Sequence, residues 1–222
     1  MKYAFVFALF SLYLVALACI LGGLGLLLLW PGISFLVLAA AYAGLGPGLY
    51  GKRPDGRMAW WAVLLLLPYL LLTWASWHIQ RLLSREPCCN EVAPGLWIGR
   101  RVFAGELPGG VSLIVDLTVE FPEPRGVRAD RSYICLPILD AFVPAERPLR
   151  ELVERVAAWP GTVYIHCALG HGRSAMVAAA VILKRKLAAD IQQAEALIRQ
   201  ARPTVRLKPS QRRLLERVMV ER

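Results

Sequence analysis

The first 80 residues of this 222-residue chain are almost without charge. Between Tyr3 and Gly51 there is no charged side chain in 49 residues, and residues 1–80 hold only Lys2, Lys52, Arg53, Asp55 and Arg57. The other 22 basic and 15 acidic groups lie in residues 81–222. This asymmetry excludes one uniform soluble domain, and an apolar content of 57% excludes a disordered chain. The five cysteines (19, 88, 89, 135 and 167) form no CxxC pair and no disulfide framework, which argues against a structural zinc site. A dinucleotide fingerprint is also lacking: Gly44-Leu45-Gly46-Pro47-Gly48 follows no strand and lies in an apolar run. No basic-aromatic surface pattern accompanies the net charge of +10, so no nucleic acid partner is expected.

What is present first is hydrocarbon. A bilayer core needs about 20 apolar residues per helix, so the uncharged stretch is long enough for two passes, with Trp30-Pro31-Gly32 as the expected turn. A third apolar run follows the polar loop at 51–57, flanked by Trp60 and Trp61 at one end and Trp74 and Trp77 at the other, as headgroup-level aromatics are. The pattern predicts transmembrane helices at 4–29, 33–50 and 58–79. Gly44, Gly46, Pro47 and Gly48 interrupt the second, for which a re-entrant segment is the competing reading. The first run is too long for a cleaved signal and more apolar helices follow it. Three passes put Lys2, Lys52, Arg53 and Arg57 on one side and Arg81, Arg85, Arg100 and Arg101 on the other, so positive charge does not choose an orientation.

After a linker at 81–90, which includes Cys88-Cys89 (acylation candidates or plain linker thiols), apolar β-branched runs alternate with helical patterns over 91–222. Strands are expected at 96–99, 112–117, 132–136 and 162–166, and helices at 148–158, 173–187, 190–201 and 209–220. The chain therefore reads as an N-terminal α-helical transmembrane region followed by an α/β domain with a mostly parallel central sheet flanked by helices.

The informative stretch is His166-Cys167-Ala168-Leu169-Gly170-His171-Gly172-Arg173-Ser174, where a strand ends and an Ala-rich helix begins. A helix N-terminus offers N–H donors and a partial positive charge. A loop with Gly170 and Gly172 can turn its own N–H groups inward. Together they make a cradle for a dianionic phosphate, to which Arg173 adds a two-pronged donor. Cys167 lies at the bottom of that cradle, and the same field favours its thiolate, a nucleophile next to a bound phosphorus.

The pattern Cys-x5-Arg-Ser preceded by His resembles the signature of the cysteine-dependent protein tyrosine phosphatases. The stretches at 94–99, 113–118, 133–140 and 196–203 look like the small dual-specificity branch, in that branch's order, over 87–222. The resemblance implies a cofactor- and metal-free phosphomonoester hydrolase. In it Cys167 attacks phosphorus, and Asp140 protonates the leaving oxygen and then activates water. Arg173 and the amides of Ala168, Leu169, Gly170, His171 and Gly172 hold the phosphate oxygens, Ser174 stabilises the departing thiolate, and His166 tunes Cys167. From the residues alone, Asp116 competes with Asp140, but within a strand a structural hydrogen bond is expected of it. His171 is either solvent-exposed or a substrate contact.

The expected substrates are phosphotyrosine or phosphoserine/threonine proteins, or a phosphorylated lipid headgroup, with membrane lipids as partners. A multi-pass tether and an excess of basic groups favour lipid. The loop positions Ala168, Leu169 and His171 carry no Lys, which favours a single phosphate over a polyphosphorylated headgroup. A reduced thiol points to a cytoplasmic catalytic domain. The alternative is a catalytically inactive, membrane-tethered phosphate-binding adaptor.

Overall fold

The structure, a computed structural model, describes Lys2–Met219. Contacts divide the chain into two compact units. The first comprises Met1–Arg53, Arg57–Ser84 and Val119–Pro122; the second comprises Pro54–Gly56, Arg85–Thr118 and Glu123–Arg222.

The first unit is helical. Its main helices are α1 (Lys2–Leu21), α2 (Leu29–Ala40) and α3 (Trp60–Leu83). A 3-10 turn (Gly23–Leu28) precedes α2 and a π-helical turn (Ala41–Leu45) extends it, so three segments, Lys2–Leu21, Gly23–Leu45 and Trp60–Leu83, are long and apolar enough to cross a membrane. The expected turn at Trp30-Pro31-Gly32 is corrected: these residues lie inside α2, and the chain reverses at Gly22 and Gly23, with φ of 56° and 46°. Pro31 stands in the first turn of α2, where its missing N–H costs nothing, whereas two consecutive left-handed residues require glycine. The predicted helices 4–29 and 33–50 shift accordingly, and the third extends through Leu83 into what was read as linker.

Polar groups in this unit are met one by one. Ser11 Oγ donates to the carbonyl of Gly32 at 2.7 Å, where α1 and α2 approach closely. Pro68 inside α3 has no N–H for the carbonyl of Leu64, four residues back, and Trp30 Nε1 donates to that carbonyl at 3.0 Å instead. The Val119–Pro122 segment is tied in by Trp74 Nε1, which donates to the carbonyl of Glu120 at 2.8 Å, and by Phe121, whose ring lies 5.7 Å from that of Trp77.

The second unit contains β1 (Cys89–Ala93), β2 (Leu96–Arg100), β3 (Val111–Asp116), α4 (Arg125–Arg128), β4 (Ser132–Cys135), α5 (Glu146–Ala157), β5 (Thr162–Cys167), α6 (Arg173–Lys184), α7 (Ile191–Ala201) and α8 (Pro209–Met219). Its sheet order is β1-β2-β5-β3-β4, parallel except for the β1–β2 pair. The pattern missed β1, a polar edge strand read as linker. The last expected helix ran to Val220, and residues 220–222 lie outside the described residues. Side chains of the central strands alternate between two buried clusters. Leu113, Val115, Val163 and Ile165 join the cluster with α5–α8, while Ile114 and Tyr164 join Val102, Val111 and Val127 on the other face. Burial on both faces is why these strands read as continuous apolar runs. Every residue from Ala175 to Ile182 has zero exposure, and the alanines of α6 let it lie close on the sheet. That packing fixes the junction of β5 and α6, where the candidate site lies.

Candidate active site

The loop 167–172 joins the end of β5 to the start of α6, and its curl follows from backbone constraints. Gly170 has φ of 80°, and a Cβ there would lie 2.4 Å from the carbonyl carbon of Gly99, so only glycine lets the loop settle against β2. The neighbouring loop carbonyls are held from outside. Arg101 N–H donates to the carbonyl of Ala168 at 3.1 Å, and Arg202 Nη2 donates to that of Leu169 at 3.1 Å.

Inside the curl, the Gly170 N–H donates to Cys167 Sγ at 3.2 Å, and Ser174 Oγ lies 3.5 Å from the same sulfur. Cys167 is 3% exposed and Ser174 is fully buried. Arg173, also 3% exposed, donates through Nη1 to the carbonyl of Ile138 at 2.8 Å. Its Nη2 lies 3.4 Å from Asp140 Oδ1. The Asp140 side chain is 74% exposed. The structure thus brings Cys167 to Ser174 and Gly170, and Arg173 to Asp140, with Ala168, Leu169, His171 and Gly172 completing the loop between Cys167 and Arg173. His166 is fully buried, and its ring stacks on that of Tyr164 at 5.7 Å.

His171 is partnered rather than open. Its Nε2 lies 2.7 Å from Glu86 Oε2, and that oxygen also accepts from Arg202 Nη2 at 3.1 Å. Burial pushes the Glu86 carboxyl up, but hydrogen bonds from Thr204 and His171 and the charges of His171 and Arg202 outweigh it and hold the group below the usual carboxylate range. Arg202 further donates to the carbonyl of Pro87 and to Asn90 Oδ1. Sequence reasoning missed this clamp, because Glu86 was read as linker and Arg202 was given no role of its own. The one available signal was that Arg202 precedes a proline in the stretch resembling the dual-specificity branch.

Asp116 has the structural role expected of a strand residue. Its Oδ1 accepts from Thr118 N–H at 2.8 Å and from Thr118 Oγ1 at 2.7 Å, and Tyr133 Oη donates to Oδ2 at 2.7 Å. Among the described residues, Asp116, Glu123 and His166 offer three ligating atoms within 4.8 Å of one another. Arg101 Nε, 3.9 Å from Glu123 Oε2, already brings a positive charge to this cluster, which is therefore read as ion-paired rather than as a cation site.

No family model matches the chain. The human dual specificity protein phosphatase 16 is 27% identical over 124 residues, a match covering 52% of this chain and 18% of that protein. The chain therefore spans less than a fifth of that relative's length. Among solved structures, Tk-PTP in its active form superposes with a TM-score of 0.52 at 23% identity, covering 60% of this chain and 96% of that one. PTPMT1 in complex with PI(5)P gives 0.51 at 19% identity over 59% and 94%. The human tyrosine phosphatase-like serine/threonine/tyrosine-interacting protein gives 0.51 at 23% identity over 60% and 95%. The second unit of the chain has the fold of the dual-specificity branch of the cysteine-dependent protein tyrosine phosphatases and carries that superfamily's signature loop at 166–174.

Proposed function

We propose that the protein is a membrane-anchored phosphatase that hydrolyses phosphate monoesters through a phosphocysteine intermediate. The observation that carries this reading is the sulfur of Cys167, buried in a curled loop, accepting an N–H from Gly170 and lying 3.5 Å from the Ser174 hydroxyl at the start of the helix that also carries buried Arg173. In the first step the Cys167 sulfur attacks phosphorus. The bond to the ester oxygen breaks, and that oxygen takes a proton from Asp140. In the second step Asp140 accepts a proton from water, the water oxygen bonds to phosphorus, and the electron pair of the P–S bond returns to sulfur. The Ser174 hydroxyl, 3.5 Å away, stabilises the sulfur as it leaves. Arg173, braced by the carbonyl of Ile138, grips equatorial oxygens throughout, together with the loop amides.

The substrate class follows from the same loop. A polyphosphorylated headgroup needs several cations, but the loop has no Lys, and its one imidazole already pairs with Glu86. A single phosphate fits better. We infer that it is carried by a membrane lipid, a reading supported by three helices long and apolar enough to cross a bilayer. Phosphotyrosine or phosphoserine/threonine proteins are the second reading, supported by the human relative. The test is one assay of the purified full-length protein on a short-chain lipid monophosphate and on a phosphotyrosyl peptide. A lipid preference above about tenfold in kcat/KM is expected, and a smaller one overturns the lipid assignment.

We infer a cytoplasmic catalytic domain, because a nucleophilic thiol must stay reduced. Cys89 is a poor topology reporter, because burial and the neighbouring Cys88 push its thiol up to about 12. Arg147, with 90% of its side chain exposed, is a better one. An Arg147→Cys protein should resist impermeant maleimide on intact cells and react after lysis; labelling before lysis reverses the orientation. An inactive adaptor, the remaining alternative, normally lacks the nucleophile, the arginine or the acid, and this chain has all three.

A further inference from the structure

We propose that Cys88 and Cys89 form a modification site, a vicinal dithiol that a low-molecular-weight disulfide oxidises to a Cys88–Cys89 disulfide, and that closing this ring disturbs the phosphate loop through Gly99 while Cys167 itself stays a thiol. The effect on turnover rests on the hydrolytic reading above; formation of the disulfide does not.

The two sulfurs lie 3.5 Å apart, and both side chains are half-buried. Successive residues of a regular strand send their side chains to opposite faces. Cys88 stands in the bend just before β1, outside that alternation, and its sulfur can meet that of Cys89. Cys88 Sγ also lies 3.7 Å from the carbonyl oxygen of Glu106.

The peptide between the two residues is part of the ring that oxidation closes. Consecutive Cα atoms are about 3.8 Å apart, below the roughly 4.4–6.8 Å over which disulfides usually close. Oxidation must therefore turn this peptide, and with it the Cys88 carbonyl. That carbonyl is tightly engaged. It accepts from Arg100 N–H at 2.9 Å, and a Cβ on Gly99 would lie 2.3 Å from its oxygen and 2.8 Å from Cys89 Cα. Gly99 pairs with Cys89 in the β1–β2 ladder and also meets the loop, because a Cβ on Gly170 would lie 2.7 Å from its carbonyl oxygen. Gly170 in turn carries the N–H that donates to Cys167 Sγ. Three stretches of backbone, at 88–89, 99–100 and 170, are thus stacked with no side chain between them, and close packing of this kind transmits a shift. Arg202 ties the same parts together a second time. It donates to the carbonyl of Pro87 at 3.0 Å and to Asn90 Oδ1 at 2.9 Å, on either side of the cysteine pair, and to the carbonyl of Leu169 in the loop at 3.1 Å.

The chemistry is two successive exchanges. The Cys88 sulfur, having lost its proton, bonds to one sulfur of the reagent, and the other half of the reagent leaves and takes up a proton. Cys89 then loses its proton and attacks the Cys88 sulfur of the mixed disulfide. The Cys88–Cys89 bond forms, and the second half of the reagent leaves as a thiol. The protein gives up two electrons and two protons, and one reagent disulfide becomes two thiols. Cys89 suits the second step. Burial, and then the hydrogen bond and charge of Cys88, push its thiol up to about 12, and the contribution of the Cys88 charge ends once that sulfur is in a mixed disulfide. A strained ring is also readily reduced, so a reducing compartment resets the site.

The test treats the full-length protein in detergent micelles with oxidised glutathione, with saturating inorganic phosphate present to shield Cys167. Part of the sample is denatured in acid, blocked with N-ethylmaleimide, digested and weighed. The peptide holding residues 88 and 89 is expected to be lighter by two hydrogens, unblocked at both cysteines, and restored by dithiothreitol. Two blocked cysteines, a retained glutathione, or a bond to Cys135 or Cys167 overturns the proposal, whether or not any variant folds. The rest, freed of phosphate, is assayed on para-nitrophenyl phosphate. Oxidation should lower kcat/KM of the wild type about tenfold, reversibly, and should leave Cys88→Ser/Cys89→Ser unchanged. An equal loss in that variant, or a wild-type disulfide without any loss, overturns the coupling to the loop. A disulfide in a protein with no turnover before treatment supports the site and instead removes the hydrolytic reading.

Discussion

In the helical unit the large apolar side chains face outward, with Leu24 at 87% exposure, and polar groups inside are met by isolated hydrogen bonds such as Ser11 to Gly32 and Trp30 to Leu64. In the α/β unit the apolar side chains are buried on both faces of the sheet, and ionisable groups collect where β3 and β5 end, next to one thiol. Both units must satisfy a buried polar backbone. The first does so residue by residue along helices that are long and apolar enough to cross a membrane, where lipid would offer no partners. The second can gather charges in one place because a packed core surrounds them. Glycine shows the same division. An added Cβ at Gly22 or Gly23 meets nothing within 4 Å, so those residues serve a reversal, whereas at Gly99 it would meet the carbonyl oxygen of Cys88 at 2.3 Å, so that residue serves close approach.

If chemistry is confined to the α/β unit, its removal should leave the helices untouched. Cys167→Ser should abolish turnover of para-nitrophenyl phosphate, by roughly a thousandfold or more, with unchanged helical circular dichroism. Retained turnover would place the nucleophile elsewhere. Arg173→Lys keeps the charge but loses the fork that the carbonyl of Ile138 braces, and should cost roughly a hundredfold in kcat/KM. A loss below about threefold would mean that phosphate is not gripped there. Asp140→Ala sharpens the division further. It should slow hydrolysis of an alkyl phosphate by roughly a hundredfold and of an aryl phosphate far less, because a phenolate leaves without help. Equal effects on both esters would remove Asp140 as the acid.

How much of this was legible in the sequence follows the same boundary. The strands at 112–117 and 162–166 and the helix after Arg173 were visible because burial on both faces wrote them as apolar runs. The loop was visible because Cys167, Gly170, Arg173 and Ser174 each answer to a local demand of phosphate chemistry. The turn between the first two helices was misplaced because Pro31 is read as a breaker, although in a helix's first turn it is harmless. Strand β1 was hidden because an antiparallel edge strand such as Cys89–Ala93 needs no apolar run. The contacts of Glu86, Arg202 and Glu123 were illegible for another reason: they join residues far apart in sequence, and no local pattern encodes such a meeting.

The helical side of the comparison is tested by the hydrogen bond that covers the carbonyl left open by Pro68. Trp30→Phe keeps the ring and loses only the Nε1 donor, so the carbonyl of Leu64 loses that partner. A destabilisation of about 1 kcal/mol is expected, read as a lower thermal midpoint of the full-length protein in detergent, with kcat unchanged. An equal loss in kcat would show that the division between anchor and chemistry fails.

The smallest effect belongs to the clamp outside the loop. Because the folded protein holds the Glu86 carboxyl below its ordinary range, ionised Glu86 stabilises the fold above the unfolded value of about 4.3, and that contribution is lost as pH falls through the lower folded value. The midpoint difference between wild type and Glu86→Gln should therefore be constant from pH 7 to pH 5 and shrink below about pH 4. It should be small, since the Glu86 side chain is 29% exposed and Arg202 keeps its bonds to the carbonyls of Leu169 and Pro87 and to Asn90 without it. What the variant frees is His171, whose imidazole then faces the phosphate loop without its carboxylate. Glu86→Gln should accordingly bind inorganic phosphate a few-fold more tightly as a competitive inhibitor, because a carboxylate no longer stands beside the loop. Unchanged inhibition would mean that Glu86 steadies the loop without setting its charge.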